Sequence, residues 1–229
     1  MTVTTDGLGR RRLAIFDFDG TLADTWRDIA SALNRTLRDV GLPLVEGPEV
    51  RFWIGDGVFK LLERAVPEPH RSTQRIAELH ERFREHYHAC CLDTTETYPG
   101  IIECLDELST VALAIASNKP AQFLDHMVGE LGLKPYFRVV LGGDSLSIRK
   151  PDGRVVEQVI KRLGEPVDEV FMVGDSAVDV QTGRAAGGRT IGCLWGLRGR
   201  EELDRAGVDV LVGHPREIPP VVLGRAVTR

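Results

Sequence analysis

Two carboxylates at the end of an apolar run constrain this chain more than any other feature. Leu13-Ala14-Ile15-Phe16 stops at Asp17-Phe18-Asp19-Gly20-Thr21. Successive side chains of an extended segment point to opposite faces, so Asp17 and Asp19 share one side. Acids this close repel each other unless a cation or a proton lies between them. A structural protein has little use for that arrangement. A phosphoryl-transfer site does, because one carboxylate can attack phosphorus while the other moves a proton.

The rest of the chain supplies partners in a fixed order. Val111–Ala116 is a second apolar run and ends in Ser117-Asn118-Lys119-Pro120. Lys150-Pro151-Asp152 opens a third segment. Val170–Gly174 is another apolar run, delivering Asp175 and, four residues later, Asp179. Three of these groups follow directly on an expected strand.

This ordered set resembles the haloacid-dehalogenase-like superfamily of phosphohydrolases, over most of the chain from about Leu13 to Val212. Its four motifs are matched by Asp17–Thr21, by Ser117, by Lys150, and by Gly174, Asp175 and Asp179. The resemblance implies an Asp17 nucleophile that forms an aspartyl-phosphate, with Asp19 as general acid and base. An aspartate at position 19 favours phosphatase or phosphomutase chemistry over dehalogenation. Thr21, Ser117 and Asn118 are expected on the phosphate, where hydroxyls and turn N–H groups suit phosphoryl oxygens. Lys150 supplies a compact charge between Asp17 and the phosphate, with Arg149 as its neighbour and competitor. Asp17, Asp175 and the backbone carbonyl of Asp19 suit a hard cation in oxygen coordination, Mg²⁺, with Asp179 as a ligand or as an anchor behind the ligands.

After Leu22 the apolar spacing changes from strand to helix. Trp26–Val40, Val58–Val66 and a segment starting near Ser72 read as three amphipathic helices, and no strand signal interrupts residues 23–91. From Pro99 onwards strands and helices alternate, which implies a parallel sheet covered on both faces. The expected fold is α/β: a Rossmann-like parallel sheet core, residues 1–22 and 92–229, with an inserted all-helical cap domain at 23–91. The chain crossings near Ala23–Thr25 and Leu92–Thr97 would be its hinges. In such sheets ligands bind beyond the carboxyl ends of the strands, where Asp17, Ser117 and Asp175 are placed.

Composition narrows the class. Formal net charge is −5 and 42% of residues are apolar, which suits a core of this size and gives no general attraction to nucleic acid. The four cysteines make neither a C-x-x-C pair nor a zinc spacing, so reduced thiols in a cytoplasmic protein are expected. Arg10-Arg11-Arg12 precedes an apolar stretch that meets Asp17 within five residues, too short for a signal core or a membrane span. His80-Glu81 begins like a zinc-protease motif, but Arg84 stands in the place of the second histidine. His80, His86 and His88 are expected in solvent, and Leu197–Arg200 reads as a basic surface stretch.

Substrate choice belongs to the cap. Trp53-Ile54-Gly55-Asp56-Gly57 followed by Leu61–Ala65 is similar to the cap segment of the phosphoglycolate phosphatase branch. Asp56 stands where many relatives carry Asn, an acidic change that works against an anionic substrate. The glycines on either side of it allow close approach to a ligand. A small carboxylated substrate would want a cap cation, and Arg51, Lys60 and Arg64 are the candidates. The leading expectation is a Mg²⁺-dependent phosphatase acting on a small phosphorylated metabolite, 2-phosphoglycolate among them, as a monomer or homodimer without nucleic-acid or membrane partners. A sugar phosphomutase like β-phosphoglucomutase, another small-phosphate hydrolase such as a pyrophosphatase, and a non-catalytic binding protein are the alternatives.

Overall fold

The computed structural model describes residues 11–225; the outermost residues assigned to the core from sequence, and Arg10, lie outside them. A six-stranded sheet is built from β1 (Arg12–Phe16), β4 (Ala112–Ala116), β5 (Val139–Leu141), β6 (Glu169–Gly174), β7 (Arg189–Cys193) and β8 (Val210–Val212). Every pairing in it is parallel, in the order β5-β4-β1-β6-β7-β8. β1 is buried throughout. Its alternate residues nonetheless serve different cores. Leu13 and Ile15 join a cluster with Val155, Val156 and Val159, whereas Ala14 and Phe16 join the larger cluster on the opposite face. A parallel sheet covered on both faces requires this division.

The helices follow the apolar spacing of the sequence. They are α1 (Trp26–Asp39), α2 (Gly47–Val50), α3 (Val58–Ala65), α4 (Thr73–Cys90), α5 (Ile101–Glu107), α6 (Ala121–Glu130), α7 (Arg154–Leu163), α8 (Ala177–Ala185), α9 (Arg200–Ala206) and α10 (Ile218–Leu223). Ser72 caps α4 by accepting from the Arg75 N–H, which fixes its start at the expected place. α1 and α3 both pack against α4, forming the helical segment inserted after β1.

The structure corrects the sequence expectation at several points. A short strand does interrupt the insertion: β2 (Ala23–Asp24) pairs antiparallel with β3 (Glu96–Thr97), so the two chain crossings lie side by side as a ribbon. Two-residue strands carry too little alternation to be legible. α9 and α10 were also unforeseen, both being too short to show a helical period. His80 is not simply solvated, because its ring stacks on Phe59 with centroids 4.3 Å apart. His86 Nε2 lies 2.7 Å from Asp39, and His88 is exposed as expected.

Asp28, buried on α1, fastens the second crossing. It accepts hydrogen bonds from the backbone N–H and the hydroxyl of both Thr94 and Thr95, at 2.7–3.1 Å. Removing that acceptor strands several buried donors, each of which costs more than a typical hydrogen bond contributes. Asp28→Ala is therefore expected to lower stability by about 3 kcal/mol, and Asp28→Asn by less, read as the midpoint shift in urea unfolding.

Candidate active site

Three strands that are neighbours in the sheet end at the same level. Phe16, the last residue of β1, is in register with Val173 of β6 on one side and Ile115 of β4 on the other. The Asp17 N–H extends this pairing to the Val173 carbonyl at 2.9 Å, and the Ser117 N–H reaches the Leu141 carbonyl at 2.9 Å. Asp17, Ser117 and Asp175 thus emerge side by side, separated by the strand spacing although about a hundred residues lie between the first two. All three are buried.

Behind Asp17 stands Lys150. Its ammonium lies 2.9 Å from Asp17 Oδ1 and 2.6 Å from Asp179 Oδ1, while Arg149 is exposed. This separates the two cations that sequence left in competition. Asp17 Oδ1 also accepts the Phe18 N–H at 2.7 Å. Asp179 sits in the first turn of α8 and folds back over it. Its Oδ2 accepts from the Ser176 N–H at 3.1 Å and from the Ser176 hydroxyl at 2.6 Å, with Ser176 as N-cap. That fold-back explains Gly174, where a Cβ would come within 2.2 Å of Asp179 Cγ. With one oxygen on Lys150 and the other on Ser176, Asp179 holds the lysine.

Asp175 is held by a loop that sequence reading placed on the surface. Its Oδ2 accepts the Leu197 N–H at 2.6 Å and lies 3.4 Å from the Arg198 N. Leu197 is buried, so Leu197–Arg200 is a surface stretch only at its far end. This loop follows β7, the neighbour of β6, and the rule that sites lie at strand carboxyl ends would have directed attention to it. Thr21 Oγ1 lies 3.5 Å from Asp175 Oδ1, and the Thr21 carbonyl accepts from Trp195 Nε1 at 3.1 Å. Gly20, at φ 81°, turns the chain beneath Asp175, where a Cβ would come within 2.4 Å of Oδ2.

Asp19 faces a different set. Thr25 donates to its Oδ1 at 2.7 Å, and Lys119 Nζ lies 2.9 Å from Oδ1 and 3.3 Å from Oδ2. Lys119 was not singled out from sequence, although it stands two residues beyond the strand-end Ser117. Asn118 donates to the Gly55 carbonyl at 3.0 Å and the Lys150 carbonyl at 3.2 Å, bridging the helical insertion and the sheet.

The remaining insertion candidates are placed as follows. Asp56 is paired with Arg64, which also donates to the Trp53 carbonyl at 2.8 Å. Arg51 donates to the Gly196 carbonyl at 3.3 Å and lies over the Trp26 ring. Lys60 pairs with Glu63 at the surface. Gly55 and Gly57 line a cavity of about 40 Å³, together with Asp17, Asp19, Ser117 and Lys119. This space lies beside one apolar cluster that includes residues of both the insertion and the sheet.

Asp17, Asp175 and Asp179 offer carboxylate oxygens within 4.8 Å of one another. Three acids beside the single Lys150 leave excess negative charge in a buried place. Burial raises the Asp17 carboxyl to about 6, against the pull of Lys150 and with the push of Asp179 and Asp19. Burial likewise raises Asp175 to about 8, and the charges of Asp179 and Asp17 add to it. Burial works against the charged Lys150, but Asp17 and Asp179 outweigh it and its pKa rises. An all-oxygen, electron-rich cluster of this kind fits a hard divalent cation.

The chain matches the family described as haloacid dehalogenase-like hydrolase over residues 14–193. It is 38% identical over 188 residues to a phosphoglycolate phosphatase of Agrobacterium fabrum, covering 80% of this chain and 81% of that one. A phosphoglycolate phosphatase of Aquifex aeolicus is 36% identical over 187 residues, 81% of this chain and 85% of its own. A Lactobacillus delbrueckii subsp. bulgaricus protein provisionally assigned as a phosphoglycolate phosphatase has a crystal structure that superposes with a TM-score of 0.87 at 29% identity, over 94% of this chain and 100% of that one.

The raised carboxyls set a pH dependence. In the unfolded chain an aspartate releases its proton near 3.8, whereas folded Asp17 and Asp175 keep theirs up to about 6 and about 8. The folded chain binds more protons throughout that interval, so stability is full at its acid end and is lost as pH rises through it. With a chelator present, the thermal midpoint is expected to fall between about pH 5 and about pH 8. Asp175→Asn, which keeps the shape without the charge, should flatten the fall and exceed the wild type at the alkaline end by about 3 °C or more.

Proposed function

The chain belongs to the haloacid dehalogenase-like hydrolase family, and we propose that it is a phosphatase that hydrolyses a small phosphate monoester through an aspartyl-phosphate on Asp17, in the cytoplasm. The observation that carries this reading is the buried Lys150 ammonium shared by Asp17 and Asp179 beside Asp175. A carboxylate nucleophile needs a neighbouring cation to approach an anionic phosphate, and this arrangement provides one at hydrogen-bond distance.

Asp17 attacks phosphorus while the ester oxygen leaves with a proton from Asp19, giving the alcohol and the acyl phosphate. Asp19 then takes a proton from water, whose oxygen attacks phosphorus and returns Asp17 with inorganic phosphate. Asp19 starts from a resting position on Thr25 and Lys119 and must leave it to serve. Thr21, Ser117, Asn118 and the turn N–H groups orient the phosphoryl oxygens, and Lys150 balances their charge as the bond forms. Asp17, the Asp19 carbonyl and Asp175 would hold Mg²⁺, with Asp179 anchoring Lys150 beside them. When bound, such an ion neutralises charge that develops on the transferred group.

The substrate proposed is 2-phosphoglycolate, the ester named by both relatives above. The pairing of Asp56 with Arg64 supports it, because the acidic residue is neutralised within its own loop. We further propose that residues 23–91 act as a cap hinged on the β2–β3 ribbon. About 40 Å³ of free space is too little for an ester to enter without opening.

Phosphate release from a panel of 2-phosphoglycolate, pyrophosphate, sugar phosphates and nucleoside monophosphates tests the reading. Turnover of 2-phosphoglycolate should require Mg²⁺, stop with EDTA, and fall by a factor on the order of 10⁴ or more in Asp17→Asn. Release that survives Asp17→Asn would overturn it.

A further inference from the structure

Lys119 is the one cation on the wall of the cavity among the described residues, and the mechanism above leaves it without a task toward the substrate. Its ammonium is almost fully buried. Aromatic rings fix its position: the Tyr87 centroid lies 4.7 Å away and that of Phe18 5.9 Å. Its partner is the Asp19 carboxylate, which it shares with Thr25. Otherwise the wall is largely apolar, with Ile54, Leu61, Phe83 and Phe123 closing it from both sides.

The three candidate cations of the insertion are committed elsewhere. Arg51 serves the Gly196 carbonyl, Lys60 pairs with Glu63, and Arg64 with Asp56. None of the three lines the cavity. On the wall of this cavity a second anion, on a substrate whose phosphorus sits at Asp17, therefore meets a fixed positive charge at Lys119. At a side chain this deeply buried that contact is worth more than the same pair in solvent. Lys119 lies 2.9 Å from Asp19, two residues from Asp17, so the two anions of such a substrate are close together and the ester is short.

We propose that Lys119 is the ligand for a carboxylate on the substrate, and that it makes the site selective for short carboxylated phosphate esters over uncharged esters of the same length. This deepens the phosphatase reading and rests on it. Lys119 stands on the loop after β4, the strand beside β1, so the carboxylate would be held from the same sheet as the nucleophile. The insertion contributes an apolar lid that excludes water and leaves Lys119 as the discriminating charge.

Calorimetry with the full-length chain and Mg²⁺ tests this without turnover. The probes are 3-phosphonopropionate, in which a methylene replaces the ester oxygen, and propylphosphonate, which lacks the carboxylate. Wild type should bind the first about 10–100-fold more tightly, the range expected for one charged hydrogen-bonded contact. Lys119→Met should reduce that preference to within about threefold, while Lys119→Arg keeps most of it. Circular dichroism of both variants checks folding. Equal weakening of both probes by Lys119→Met would overturn the proposal, leaving Lys119 as a support for Asp19 alone. A wild type without preference would overturn it as well, whatever the variants do. Failure of the phosphatase reading shows separately, as phosphate release that Asp17→Asn does not reduce.

Discussion

A single buried ammonium makes this site possible. Asp17, Asp175 and Asp179 offer oxygens within 4.8 Å of each other at the end of a sheet where water is largely excluded. Without a cation such a cluster would protonate or splay apart. Lys150 reaches two of the three, and Ser176 with the start of α8 takes the remaining oxygen of Asp179. The compensation is incomplete: burial is the first cause that raises Asp17 and Asp175, and the charge of the neighbouring carboxylates adds to it. Three carboxylates beside one ammonium are a donor set that suits a hard divalent cation.

The sheet order converts sequence order into proximity. β1 is central, with β4 on one side and β6 on the other, so the strand ends bearing Asp17, Ser117 and Asp175 are adjacent although they arise far apart in the chain. β7 comes next, and the loop after it closes over Asp175 through the Leu197 N–H. Asp17, Ser117 and Asp175 therefore stand at strand ends, and Asp175 takes its backbone donor from the loop of the next strand. The glycines in the motifs are the consequence of this crowding. Gly20 and Gly174 lie where a Cβ would collide with Asp175 and Asp179.

What was legible in the sequence is what repeats or abuts a strand. The apolar runs before Asp17, Ser117 and Asp175 located three strands, and the helical period located the long helices nearly to the residue. Groups whose role depends on packing across the sheet were not legible. Leu197 is an ordinary apolar residue whose contribution is its N–H, so no side-chain pattern marks it. Lys119 reads as a surface lysine in a turn until Tyr87 and Asp19, from distant segments, close around it. Asp179 reads from sequence as a ligand or an anchor, and its two oxygens lie on Lys150 and Ser176 while it remains within 4.8 Å of the oxygens of Asp17 and Asp175. The β2–β3 ribbon was missed because two residues cannot show a period, and its pairing joins positions more than seventy residues apart.

The helical insertion is fastened to the core by the loops that hold the site. Asn118, next to Ser117, donates to the Gly55 carbonyl at 3.0 Å. Arg198, whose N–H faces Asp175, donates from its guanidinium to the Ile54 carbonyl at 2.8 Å. Arg51 returns the contact from the other side, to the Gly196 carbonyl. All three bonds join the insertion to the core, and each ends on a residue within one or two positions of a group in contact with Asp175 or next to Ser117. Individually such bonds contribute about 1 kcal/mol. The insertion and the site are thus tied to each other in this fold, because the short segment 51–57 and the strand-end loops share their hydrogen bonds.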